Sequence, residues 1–288
     1  MRAFARGAIG DALLKTMVLL LLPPAFAFVL AFALQIFAKE KAERIALVPV
    51  AISVLAGWIF IVRPGWMPVD DVRRVVHVGV GAVLLGFALD AIRPHRFITA
   101  ILVAGFVLGC AFASVTGAFM PSGAVSAREV LLTAALAGVA FFTLVRFDAT
   151  RERPMSLMIL LTLVAYGLSV LAAIAQEEGL TGLALVLAIT LTGYMLFVAF
   201  TGTVASDGVI LVAGTPLLAI VWALAQRHPD MRLALLCLPL VLFAEATAQR
   251  VPLPAARISA LLYPLVLAVL VSLPLALAAL ISFVTSGY

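Results

Sequence analysis

The feature that most constrains this chain is a succession of apolar stretches long enough to cross a bilayer, joined by polar connections too short to fold alone. A transmembrane helix needs about 20 mainly apolar residues. Backbone amides inside hydrocarbon must be satisfied within their own helix. The chain therefore reads as an all-α, polytopic transmembrane helix bundle of about ten helices. Residues 1–288 form a single integral membrane domain with no soluble domain. Within it, 1–15 is an amphipathic basic segment, expected to lie on the membrane surface, and 16–284 is the helical bundle.

Composition closes the alternative. Hydrophobic residues make up 65% of the chain and charged residues 11%, against about 25% charged in ordinary globular proteins. The net charge of +5 does not point to nucleic acid. The basic residues sit singly or in small groups at helix ends, where they meet lipid headgroups. The first apolar run, 17–37, is longer than the roughly 7–15 residues of a signal h-region and reads as a retained helix. Cys110 and Cys237 lie inside apolar segments as small hydrophobes.

The helices are placed at about 16–37, 45–62, 75–92, 97–120, 130–147, 155–175, 180–203, 208–225, 233–248 and 258–284. Pro23-Pro24, Pro216, Pro264 and Pro274 fall inside three of them, the first, eighth and tenth, where missing amide donors predict kinks. Gly179 is expected at the left-handed C-cap of the sixth. In the fourth, Gly105, Gly109, Ala113 and Gly117 recur at four-residue spacing, a stripe that lets another helix backbone approach closely. Arg-rich, Asn-free composition (16 Arg, 3 Lys, no Asn) points to a bacterial inner membrane. With the N-terminus inside, Lys and Arg divide nine to ten between the two sides. The positive-inside rule is therefore silent, and an N-in/C-in orientation follows only from an even helix count.

Two acids stand apart. Asp90 and Glu245 each fall near the end of an apolar segment, whereas the other twelve of the fourteen acids lie in tails, loops or beside them. Asp90 shares a stripe with Gly79, Ala82 and Gly86, so it should face a neighbouring helix and not lipid. His77 precedes Asp90 by thirteen residues, and Arg232 precedes Glu245 by the same interval. Trp58, Arg63 and Met67 echo Trp222, Arg227 and Met231 in spacing as well. If these matches are more than chance, helices 1–4 and 7–10 form a parallel pseudo-repeat, with substrate sites at the repeat interface.

The functional reading is a small-molecule or lipid transporter, or a flippase-like protein, binding its substrate between helices 3, 4, 7 and 9. Asp90, Glu245, His77, Arg232 and Tyr194 are the candidate substrate- or ion-binding residues. Gly79, Gly86, Gly105, Gly109 and Gly117 are the packing residues. The structural alternative pairs Asp90 with Arg93, and Glu245 with Gln249 or Arg250. Thr190, Tyr194 and Thr201 share a face of helix 7, either lining a polar path or bonding their own backbone. Two other classes remain open. One is a membrane-embedded enzyme acting on a lipid-linked substrate through Asp70–His77. The other is a non-catalytic accessory subunit that packs through the helix 4 stripe. No catalytic residue, cofactor or metal is assigned, no nucleic acid is expected, and the partner is the lipid bilayer.

Overall fold

The computed structural model describes residues 21–37, 47–62, 70–115, 127–150, 153–203, 206–252 and 256–285. The basic segment 1–15 and Gly117 lie outside them. The described residues form helices and no strand. In chain order these are α1 Leu21–Phe37, α2 Leu47–Val62, α3 Asp71–Ile92, α4 Arg96–Val115, α5 Ala127–Ala149, α6 Pro154–Ile174, α7 Glu178–Thr201 and α8 Asp207–Arg227. A broken segment, α9 Pro229–Ala248, and α10 Ala256–Thr285 complete the order. Six described segments are long and apolar enough to cross a membrane: 72–92, 154–174, 178–201, 207–227, 229–248 and 262–285. Leu84, Ile101, Phe142, Leu265 and Phe283 are exposed on the outside of the bundle. Such a surface belongs against lipid, and the chain is a multi-pass membrane protein.

The ends of α3 and α8 show how local chemistry sets the elements. Asp70 caps α3, its Oδ1 accepting from the Arg73 amide at 2.7 Å. At the other end Arg93 takes a left-handed φ of 47° and its amide closes onto the Leu89 carbonyl. Pro94 then cannot continue the helix. Ser206 caps α8 by accepting from the Val209 amide. After α6 the left-handed residue is Gln176, φ 58°, in place of the expected Gly179. The amides of Gln176 and Glu177 bond the Ala173 and Ala172 carbonyls, a Schellman closure. Gly179 instead lies in the first turn of α7, where an added Cβ would come within 2.8 Å of Val72 on α3.

The most extensive helix contacts are the α6–α7 hairpin and the α3–α8 pair, with α10 laid along α6 and α2 along α7. About two thirds of the spanning parts of α7 and α8 is buried (67% and 72%), against 22% for α10, so the centre lies at α6, α7 and α8. Trp58 of α2 is fully enclosed and donates from Nε1 to the Leu183 carbonyl of α7 at 3.2 Å. In the α4–α5 hairpin, α4 touches α3 only sparsely, whereas α5 also packs on α8 and on the broken segment α9.

Two expectations change here. Predicted helix 9 is not a continuous α-helix. One 3-10 turn, a single α turn, a second 3-10 stretch over Leu238–Phe243 and a last α turn succeed one another. Pro229 and Pro239 supply no amide, and the chain tightens to i→i+3 bonds such as Leu240 to Cys237. Its proposed twin, α3, runs unbroken for 22 residues. The helix 4 stripe also faces the other way from the expected packing. A Cβ at Gly105 or Gly109 would meet nothing within 4 Å among the described residues, and both glycines are exposed. Small residues at this spacing define a face, and among the described residues that face is the outer one.

Candidate functional site

The α3 stripe does pack inward. A Cβ on Gly79 would run into the Trp58 ring, and one on Gly86 would lie 3.0 Å from the Gly208 Cα. The backbones of α3 and α8 therefore nearly touch at Gly86 and Gly208. One turn further along α3, this approach sets Asp90 over the first turn of α8. Ser206 Oγ donates to Asp90 Oδ2 at 2.7 Å, and the Gly208 amide donates to Oδ1 at 3.1 Å. Asp90 is 6% exposed. A carboxylate at a helix N-terminus meets unpaired amides and the positive end of the helix dipole. An acid at the centre of a span costs about 2.5–3.5 kcal/mol, and less near its end. Two hydrogen bonds to a charged group, each worth about 1.5–3 kcal/mol, offset that cost. Asp90 thus holds α3 to α8 as well as presenting a carboxylate.

A cavity of about 480 Å³ adjoins it, bounded by α3, α4, α5 and α8. Arg93, Arg96, Asp148 and Asp207 line it beside Asp90, and Val103, Leu144 and Ile210 form apolar wall. Arg93, Asp148 and Asp207 all have interaction partners of their own. Both charge signs against an apolar wall, in a volume typical of small-molecule sites, suit a zwitterionic or amphipathic guest. The expected enclosure by helices 3, 4, 7 and 9 is replaced by α3, α4, α5 and α8.

Glu245 lies at the same end of the bundle but not in that cavity. It is 7% exposed, and its Oε1 accepts from Arg153 Nη1 at 3.3 Å and Gln249 Nε2 at 3.5 Å. Gln249 is the partner the sequence offered, whereas Arg153 comes from the start of α6. The two acids therefore do not form one binding pair. His77 Nδ1 lies 2.7 Å from the Arg73 carbonyl one turn back. Asp70 caps α3 and also pairs with Arg73 at 3.6 Å. Arg232 donates from Nε to the Ala225 carbonyl and borders a mostly apolar cavity of about 590 Å³ between α5, α6, α8 and α9.

The hydroxyl face of α7 divides. Thr201 back-bonds to the Phe197 carbonyl at 2.9 Å, as Thr192 does to Ala188 from another face of the helix. Thr190 and the Tyr194 hydroxyl are wholly buried and have no hydrogen-bond partner among the described residues. A second polar cluster closes the opposite end of the bundle. Glu177 accepts from Arg227 at 2.7 Å and lies 3.2 Å from His228 Nε2. Burial pushes its pKa up, but the hydrogen bonds and charges of Arg227 and His228 outweigh this and hold the carboxyl below its ordinary value.

Ser206, Asp207, Arg96, Asp148 and Arg153 are residues the sequence reading did not single out. Only Ser206 carried a local signal, a cap residue directly before an apolar run. No protein-family profile, curated protein or solved structure matches this chain. The geometry of the site therefore carries the functional reading alone.

Proposed function

We propose that this protein is a small transporter, or a flippase-like protein, that takes a charged or zwitterionic small molecule into the Asp90 cavity. The observation that carries the reading is a pair of cavities at opposite ends of one seam. The larger reaches Asp90. A smaller one, about 100 Å³, is bounded by the same four helices and reaches Arg74, at the other end of α3. The two are one turn apart on α4, from Val103 to Val107, and on α8, from Leu211 to Thr215. Between them Phe106 sits against Gly81, and Leu144 against Gly214. Because α4 touches α3 only sparsely while α5 packs on α8, the hairpin can open from α3 by pivoting on α8. Asp90 and Arg96 bind opposite charges of the guest, and the apolar side chains between the cavities form the gate.

In this reading α1, α2, α4 and α5 cross the bilayer with the six longer segments, making about ten crossings in a bacterial inner membrane. The test is uptake from a defined mixture of small metabolites into vesicles bearing the protein. A solute accumulated by wild type and lost in Asp90→Asn and Arg96→Gln is the expected result. Equal accumulation in wild type, variants and empty vesicles would overturn the reading.

One observation favours a second reading, the accessory subunit. The outward Gly105–Gly109 face of α4 is shaped for a helix of another membrane protein. A stable complex that is lost in Gly105→Leu, with no solute taken up, would select it.

A further inference from the structure

The smaller cavity has a chemical bias of its own. Along α8, Thr215, Trp222 and Gln226 stand at intervals of seven and four and so share one stripe. All three line the cavity, with Arg74 of α3 and Cys110 of α4, and the rest of its wall is apolar, including Val78, Val107 and Ala140. Trp222 and Gln226 also border the apolar cavity beside α9. Thr215 is 4% exposed, and neither its hydroxyl nor the buried Trp222 Nε1 has a hydrogen-bond partner among the described residues. Buried polar groups are nearly always paired, so each unpaired one asks for an explanation. An indole N–H only donates, a guanidinium only donates, and a hydroxyl or a primary amide can donate. No carboxylate lines the cavity among the described residues. The guest that fits is one built of acceptors.

We propose that this cavity binds a small anion, of halide, nitrate or short-carboxylate size, held by Trp222 Nε1–H and the Thr215 hydroxyl. Arg74 contributes positive charge at its edge. One water needs roughly 10–15 Å³ on this measure. The cavity of about 100 Å³ therefore holds a small anion with one or two waters, and excludes a bulky polyhydroxy acid. A cation finds no acceptor-only group there. The site does not depend on transport and binds its anion whether or not the seam conducts a solute.

The experiment is indole ¹⁵N–H NMR on the full-length protein in detergent, with the Trp222 resonance assigned through Trp222→Phe. Sodium chloride and sodium nitrate are titrated against sodium gluconate at fixed ionic strength. The Trp222 peak is expected to move saturably with chloride and nitrate and to stay still in gluconate. The Trp58 peak, whose N–H is already bonded to the Leu183 carbonyl, stays still throughout. Thr215→Val raises the half-saturating concentration about tenfold, and Thr215→Ser, which keeps the hydroxyl, restores it. If Thr215→Val fails to fold, Thr215→Ser and Arg74→Gln carry the comparison, with Arg74→Gln weakening binding and Thr215→Ser leaving it intact. A Trp222 peak that ignores the identity of the anion would show that water alone fills the cavity and would overturn the proposal. The same conclusion follows if Arg74→Gln and Thr215→Val leave the titration unchanged.

Discussion

Replacing Gly208 by alanine puts a methyl group into the tightest contact of the Asp90 site. The new Cβ would lie 2.6 Å from Asp90 Oδ2 and 2.9 Å from Leu47 Cδ2. Ordinary contact begins near 3.4 Å, so the carboxylate must retreat by about 0.8 Å. The 3.1 Å bond from the Gly208 amide to Oδ1 then stretches beyond hydrogen-bonding range. Losing a bond to a carboxylate costs about 1.5–3 kcal/mol, and crowding Leu47 about 1–3 kcal/mol. Alanine's better helix propensity returns at most about 1 kcal/mol. Gly208→Ala should therefore destabilise by about 2–4 kcal/mol, measured by denaturant titration in micelles. Gly105→Ala, which fills open space, should be neutral or stabilising by up to about 1 kcal/mol. A double-mutant cycle with Asp90→Ala should give a combined cost well below the sum. Costs that add to within about 0.5 kcal/mol, or a Gly208→Ala as mild as Gly105→Ala, would refute the claim that Asp90 is pinned by the α8 terminus.

Ser206→Ala removes the α8 cap and a donor to Asp90, and should cost about 2–3 kcal/mol in the same titration. Glu177 has a folded-state pKa below its unfolded one, so its pairing stabilises at neutral pH and is lost as pH falls through the folded value. The melting-temperature gap between wild type and Glu177→Gln should accordingly be present at pH 7 and close below about pH 4. A gap that persists in acid would contradict the pairing. Glu245→Gln breaks an ion pair whose arginine is half exposed, so it should cost about 1 kcal/mol or less and spare uptake that Asp90→Asn abolishes. Gly193→Ala drives a methyl into the backbone of Pro24 on α1. Because backbone yields less than a side-chain tip, a melt of this variant should fall below that of Gly208→Ala.

The inward face of Asp90 was legible because Gly79, Ala82 and Gly86 precede it at helical spacing, and a stripe of small residues lets a neighbouring helix come close, as Gly208 does at Gly86. The same logic fails at Gly105 and Gly109, since spacing identifies a face without saying whether a helix or lipid covers it. Glu245 was visible as an acid in an apolar run, but Arg153 lies 92 residues away in sequence at the start of another helix. No local pattern joins them. Gly179 looked like a helix terminator because glycine is the usual left-handed residue, yet Gln176 takes that conformation and Gly179 is reserved for the approach of Val72. The Asp90 cavity draws on four helices, of which the sequence points to α3 and α4 but not to α5 and α8. Partners set by tertiary packing leave no periodic trace.

In the proposed transporter, water reaches the α3–α4–α5–α8 seam from opposite ends. Side-specific labelling with a membrane-impermeant maleimide in oriented vesicles tests it most directly. The mouth of the smaller cavity is reported by Gln226→Cys, an exposed position on its rim, in a Cys110→Ala, Cys237→Ala background. The Asp90 cavity is reported by Thr99→Cys in a Cys110→Ala, Cys237→Ala background. The two cysteines should label from opposite faces of the membrane. Labelling of both from one face, or of neither, would contradict it.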